Sequence, residues 1–195
     1  MDASPIVAVA SHADDLEPVC ELLSALPAEF STTIIVIQHI KAGRERLVAE
    51  RLADRTSLQV LHAHDGVVAE QGHVYVIPAN ATLTMSGRRI RVTPSASQHD
   101  SPGDILFASL AEEYGAGAIG VVLSGGGSDG ALGIRAIRQA SGTTFAQYPG
   151  SARFPSMPIN AIESGRVGFV LRPNEIARAL SGLRRPAASP ARVAA

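Results

Sequence analysis

The sequence predicts an α/β fold: a mainly parallel sheet flanked by helices, with an antiparallel β-hairpin inserted. Three observations carry this expectation. Short β-branched runs alternate with segments whose apolar residues recur at helical spacing, the pattern of βαβ units with right-handed crossovers. The alternation breaks once, where Ala81 to Met85 and Arg89 to Thr93 read as two strands joined by Ser86-Gly87-Arg88, a three-residue loop containing glycine. The chain has 195 residues, 46% hydrophobic and 18% charged, enough to bury one full core.

The elements follow in order. Ile6 to Ala10 is a short apolar strand, after which Leu16, Val19, Cys20, Leu22, Leu23 and Leu26 recur at helical spacing until Pro27. Thr33 to Ile37 is a second, β-branched strand that ends in Gln38-His39. A helix follows with Leu47, Val48 and Leu52 on its apolar face, then short strands at Leu58 to His62 and Val74 to Ile77, then the hairpin. Ser95 to Gly103 is a polar loop, and Asp104 to Tyr114 is helical. The parallel pattern resumes with a strand at 118–123, a helix at 130–140 and a strand from Thr143 to Ala146. A loop holding Pro149, Pro155 and Pro158 leads to a short helix, a strand at Phe169 to Leu171 and a helix opening at Pro173, where proline fits the first turn. Residues 1–183 are read as one domain, and the Ala/Pro/Arg-rich 184–195 as a disordered tail.

Composition excludes several functions. A net charge of −1 supplies no field to attract nucleic acid or an anionic membrane. Cys20 is the only cysteine, so there is no internal disulfide, and a cysteine-based metal site is disfavoured. The chain starts almost directly with a strand and has no membrane-length apolar run, which points to a reducing, cytoplasmic setting.

The organising stretch is Val121 to Gly130, where a buried strand enters a loop with four glycines in six residues and one acid, Asp129. A loop of this kind lies at the carboxyl end of a parallel sheet, where such folds hold their ligands. Its following helix start offers N–H groups to an anion. The competing reading makes Asp129 a capping residue in a tight strand-to-helix turn. Gly125, Gly127 and Gly130 also satisfy the dinucleotide-binding spacing G-x-G-x-x-G. That reading wants an acid about twenty residues on for the ribose, yet the next acid is Glu163.

Ser11, His39 and Asp129 all follow strands that a parallel sheet would end on one edge. A serine nucleophile needs an imidazole to take its proton, and the imidazole needs a carboxylate to fix its tautomer, so these three types form a candidate catalytic set. Each also has an ordinary explanation, as a helix cap or a satisfied buried group.

At these residues the chain resembles the catalytic domain of the chemotaxis-type protein-glutamate methylesterases, the CheB family. The resemblance runs from about Ile6 to Leu180, through Ala10-Ser11, Val36-Ile37-Gln38-His39, Val74-Tyr75-Val76-Ile77-Pro78, Asp104-Ile105-Leu106-Phe107, Gly120 to Gly125, Gly127-Ser128-Asp129-Gly130 and Met157-Pro158. It implies a modified doubly wound α/β fold. It also implies hydrolysis of γ-glutamyl methyl esters on the cytoplasmic domain of chemoreceptors, with deamidation of receptor glutamines in some members, and no metal or organic cofactor. By motif, Ser11 would be the nucleophile, His39 the base, Asp129 the orienting acid, and the main-chain N–H groups of His39 and Gly126 the oxyanion donors. The partner would be a methylated chemoreceptor or a related signalling protein, with no nucleic acid and no membrane insertion.

The departures are local. The family's nucleophile loop is of the type G-A-S-x-G-G, whereas this chain has Val9-Ala10-Ser11-His12-Ala13-Asp14-Asp15. Asp14 and Asp15 suit a cap for the following helix, and a carboxylate near Ser11 would also repel a developing oxyanion. His12 reads as an exposed loop histidine, with an extra base or a metal ligand as the alternatives. Ile159 and Asn160 stand where the family has arginine and glutamate. The N-terminal receiver domain common in the family has no room here, so regulation in cis is not expected. Two functions therefore compete: an active esterase, and an impaired relative that works as a binding or regulatory module.

Overall fold

The computed structural model describes residues 4–12, 15–38, 43–97 and 100–183. The expected tail at 184–195 lies outside the described residues. Among the described residues, β1 (Ile6–Ser11), α1 (Glu17–Ser24), β2 (Thr33–Gln38) and α2 (Glu45–Ala53) come first. They are followed by β3 (Gln59–His62), β4 (His73–Val76) and the hairpin strands β5 (Ala81–Ser86) and β6 (Arg89–Pro94). Then come α3 (Pro102–Tyr114), β7 (Ala118–Val122), α4 (Ala131–Gln139) and β8 (Thr143–Gln147), and finally α5 (Ser156–Glu163), β9 (Phe169–Leu171) and α6 (Pro173–Gly182).

Seven strands form one sheet in the order β3-β4-β2-β1-β7-β8-β9, and every neighbouring pair is parallel. The central strands β1, β2 and β7 are buried along their whole length, which is why their sequences are continuous apolar runs without alternation. Alternate residues serve opposite faces. Val7, Val9, Ile34, Val36 and Val121 pack with α1, α2 and α6, whereas Ile6, Ala8, Ala10, Ile35, Ile37 and Val122 pack with α3, α4, α5 and the hairpin. The chain winds outward from β1 through β2 and later returns to the other side of β1 at β7, so the strand order reverses between β1 and β7. Open α/β sheets form their ligand crevice at such a reversal, outside the carboxyl ends of the strands.

Two details differ from the sequence expectation. Leu47 is 62% exposed, and α2 buries Ala49 and Leu52. At 3.6 residues per turn Leu47 points about 140° away from Leu52. The hairpin pairs Ser86 with Arg89, leaving the two-residue loop Gly87-Arg88 in place of the expected three. Gly87 takes φ +53° at the first central position, as a II′ turn requires. This hairpin is a separate two-stranded sheet that leans on α3 through Leu83, Met85 and Ile90, so the main sheet stays wholly parallel. Its strand β5 is tied to α3 by the Met85 N–H, which donates to Ser109 Oγ at 2.8 Å.

Candidate active site

Ser11 ends β1 and is the register partner of Gln38, which ends β2. By alternation both side chains lie on the face that carries Val9 and Val36, side by side, so they meet. Gln38 Nε2 donates to Ser11 Oγ at 2.8 Å. The pair is enclosed, Ser11 being 0% and Gln38 3% exposed. Past Ser11 the chain keeps its hold on β7: Leu123 N donates to Ala10 O at 2.9 Å and His12 N to Ser124 O at 3.2 Å. Ser11 therefore sits at the reversal between β1 and β7.

Asp129 lies on the other side of that reversal, in the loop after β7, and is buried. Its Oδ2 accepts from Gly103 N at 2.9 Å and its Oδ1 from Asp104 N at 2.9 Å. Both oxygens are thus aimed by the first turn of α3. Glycine at 103 lets the carboxylate come this close, because a Cβ there would lie 3.0 Å from its atoms. Asp129 is a capping residue, but of α3, twenty-odd residues upstream, and not of the helix that follows it.

The start of α4 is occupied in return. Gly130 is its N-cap at φ +92° without a side-chain cap bond, and the Gly133 N–H donates to Asp104 Oδ1 at 2.7 Å. The acid on each helix-start loop caps the other helix. The expected anion site at this helix start is therefore corrected: a phosphate would have to displace a carboxylate, which also removes the dinucleotide reading. Burial pushes the Asp104 carboxyl above the usual carboxylate range and nearby Asp129 adds to the rise, while the α4 amides, led by Gly133, oppose it. An acid with a raised folded value favours the folded state below the ordinary carboxylate pKa, and that contribution is lost as pH rises through the folded value. Asp104→Asn keeps an acceptor for Gly133 and removes the charge. Its urea midpoint is expected to match wild type at about pH 3.5 and to exceed it at about pH 7.5.

The glycine loop is pinned from below by the segment leading into α5. Gly125 N donates to Phe154 O at 2.8 Å, and Met157 N donates to Gly125 O at 2.9 Å. Asn160 Nδ2 donates to Gly127 O at 2.9 Å, joining α5 to the loop crown. Gly126, Gly127 and Ser128 are exposed, and a Cβ at Gly126 would meet nothing within 4 Å. A side chain at 126 would thus point into open space.

His39, Ala13 and Asp14 lie outside the described residues, so Ser11 and Asp129 are the two triad candidates with a described position. Asp15 does not cap α1. It is buried, its N–H turns back to His12 O at 3.0 Å, and the N-cap is Leu16, which makes no side-chain cap bond. That turn starts the helix later than the sequence suggests. His12 is half-buried, and among the described residues no group of three or more His, Cys, Asp or Glu is placed to hold a metal ion. Cys20 is buried on α1, where burial and then Glu17 push its thiol up, leaving it a packing group and not a nucleophile.

Gln38 and Asn160 are the contacts that sequence reasoning missed. Gln38 was legible only as the polar end of an apolar strand, and nothing in the sequence shows that it would face Ser11. Asn160 read only as the loss of a family glutamate, because its partner Gly127 is remote in the chain.

Comparison with known proteins agrees with this architecture. A family model described as CheB methylesterase matches residues 7–180. "Protein-glutamate methylesterase/protein-glutamine glutaminase 3" of Anaeromyxobacter dehalogenans is 37% identical over 180 residues, covering 90% of this chain and 53% of that protein. "Protein-glutamate methylesterase/protein-glutamine glutaminase" of Escherichia coli O157:H7 is 32% identical over 184 residues, covering 91% of this chain and 52% of that protein. The chain thus spans about half the length of these curated relatives. The crystal structure of the Thermotoga maritima CheB methylesterase catalytic domain superposes with a TM-score of 0.84 at 26% identity, covering 93% of this chain and all of that one. Among the described residues, no helix is long and apolar enough to cross a membrane.

Proposed function

The chain belongs to the CheB methylesterase family, and from that premise we propose that it is a serine hydrolase that removes methyl groups from γ-glutamyl methyl esters on chemoreceptors. Deamidation of receptor glutamines by the same site is part of the reading, since these relatives carry both activities in their names. Its partner is the methylated cytoplasmic domain of a chemoreceptor or a related signalling protein, met in the cytoplasm without insertion into the membrane.

In this mechanism Ser11 Oγ attacks the ester carbonyl, His39 takes its proton and passes it to the departing methoxide, and Asp129 orients His39. The main-chain N–H groups of His39 and Gly126 hold the oxyanion. The observation that supports the reading most is the aim of Asp129. A buried carboxylate with both oxygens fixed by helix amides stands across the strand-order reversal from a serine. A carboxylate accepts more than two hydrogen bonds, so the α3 amides leave capacity for an imidazole N–H.

The second reading, an impaired relative that acts as a binding or regulatory module, is favoured by the complete burial of Ser11. Methanol release from methylated chemoreceptor membranes separates the two. Release above a protein-free blank is expected. A folded preparation that releases none, while an established methylesterase in parallel does, overturns the hydrolase reading in favour of binding.

A further inference from the structure

Gln38 closes β2 opposite Ser11, and its two polar atoms have unequal fates. Nε2 donates to Ser11 Oγ at 2.8 Å, whereas Oε1 is buried with no hydrogen-bond partner among the described residues. A buried polar atom left unpaired is costly, and the preceding residues on this face of β2 are Ile34 and Val36. An apolar side chain at 38 would continue that pattern without the cost. Stability alone therefore does not account for glutamine here, and exceptions of this kind call for another explanation.

We propose that Gln38 is a catalytic residue of the ester hydrolysis set out above, on which this inference rests: it fixes Ser11 Oγ and donates a hydrogen bond to it throughout the reaction. By occupying one lone pair of Oγ, the amide directs the hydroxyl proton away from itself and leaves the second lone pair for attack. In the first half-reaction the Oγ–carbonyl bond forms, the Oγ proton passes to the base, and the bond to methoxide breaks as methanol leaves with that proton. In the second, a water oxygen bonds to the carbonyl carbon and gives a proton to the base. The carbon–Oγ bond then breaks, and Oγ keeps the electron pair and recovers a proton. Negative charge grows on Oγ as it leaves, so a donor already in place is worth most there. Gln38 keeps both amide protons at every stage.

The test uses Gln38→Met, which keeps volume and removes both polar atoms, and Gln38→Glu, which keeps shape and, when ionised, accepts where the amide donates. Methanol release and thermal midpoints are measured beside wild type and Ser11→Ala. Gln38→Met is expected to lower kcat about 10²-fold with KM unchanged, while its midpoint stays level or rises because the unpaired oxygen has gone. Gln38→Glu is expected to lose at least as much. Wild-type kcat in either variant overturns the proposal, as does a loss of activity that only follows a fall in midpoint or a failure of both variants to fold. Those results leave the wild-type, Ser11-dependent activity standing. Absence of that activity instead overturns the hydrolase reading, and this proposal with it.

Discussion

Ser11→Ala is expected to lower methanol release about 10⁶-fold, to a rate indistinguishable from the blank. The magnitude follows from the covalent route: without Oγ there is no acyl intermediate, and the base and oxyanion donors have no attacking atom to assist. The structural cost is confined to one contact, because the change removes one hydroxyl, which accepts from Gln38 Nε2. One buried amide then loses an acceptor, worth about 1–3 kcal/mol. Urea denaturation of the variant against wild type checks that the loss is chemical and not a loss of fold. Retained release in a folded Ser11→Ala protein would remove the serine from the mechanism.

Asp129→Asn is expected to lower kcat about 10⁴-fold, since an amide in place of the carboxylate turns a neighbouring imidazole into the wrong tautomer. Like the serine change, this one also carries a structural penalty. The two oxygens of Asp129 accept from two different main-chain N–H groups, Gly103 and Asp104. An asparagine offers one acceptor and one NH₂, so one of the two meets a donor facing a donor, costing about 1–3 kcal/mol. Steady-state kinetics and a urea midpoint on the same preparation separate the two effects. A variant that loses stability but keeps kcat would make Asp129 a helix cap and nothing more.

Most of the architecture was legible because its signals are local. The doubly buried strands β1, β2 and β7 announce themselves as β-branched or small apolar runs, and the hairpin as two strands about a glycine. Errors came where direction mattered more than type. Leu47 belongs to an apolar run but points away from the sheet, and Asp15 has the chemistry of a cap but is held in a turn one residue before the N-cap. The site was legible in its residue types and not in its contacts. Ser11 and Asp129 could be named because each follows a strand, but the partners that hold them, Gln38 and the α3 amides, arrive from other strands and loops. Neither hydrophobic periodicity nor motif spacing encodes that a cap will be supplied from a distant turn.

The exchange of caps between α3 and α4 ties the fate of two loops together. The turn at 101–104 and the turn at 127–133 each hold an acid that accepts from amides of the other, so replacing either acid by a residue without an acceptor leaves amides unpaired at the other helix start. Asp129 thus has a folding role beside the proposed catalytic one, and a lineage that dispensed with ester hydrolysis would still draw on it for the α3 cap. An aspartate at this position is thus weak testimony to catalysis when sequences are compared.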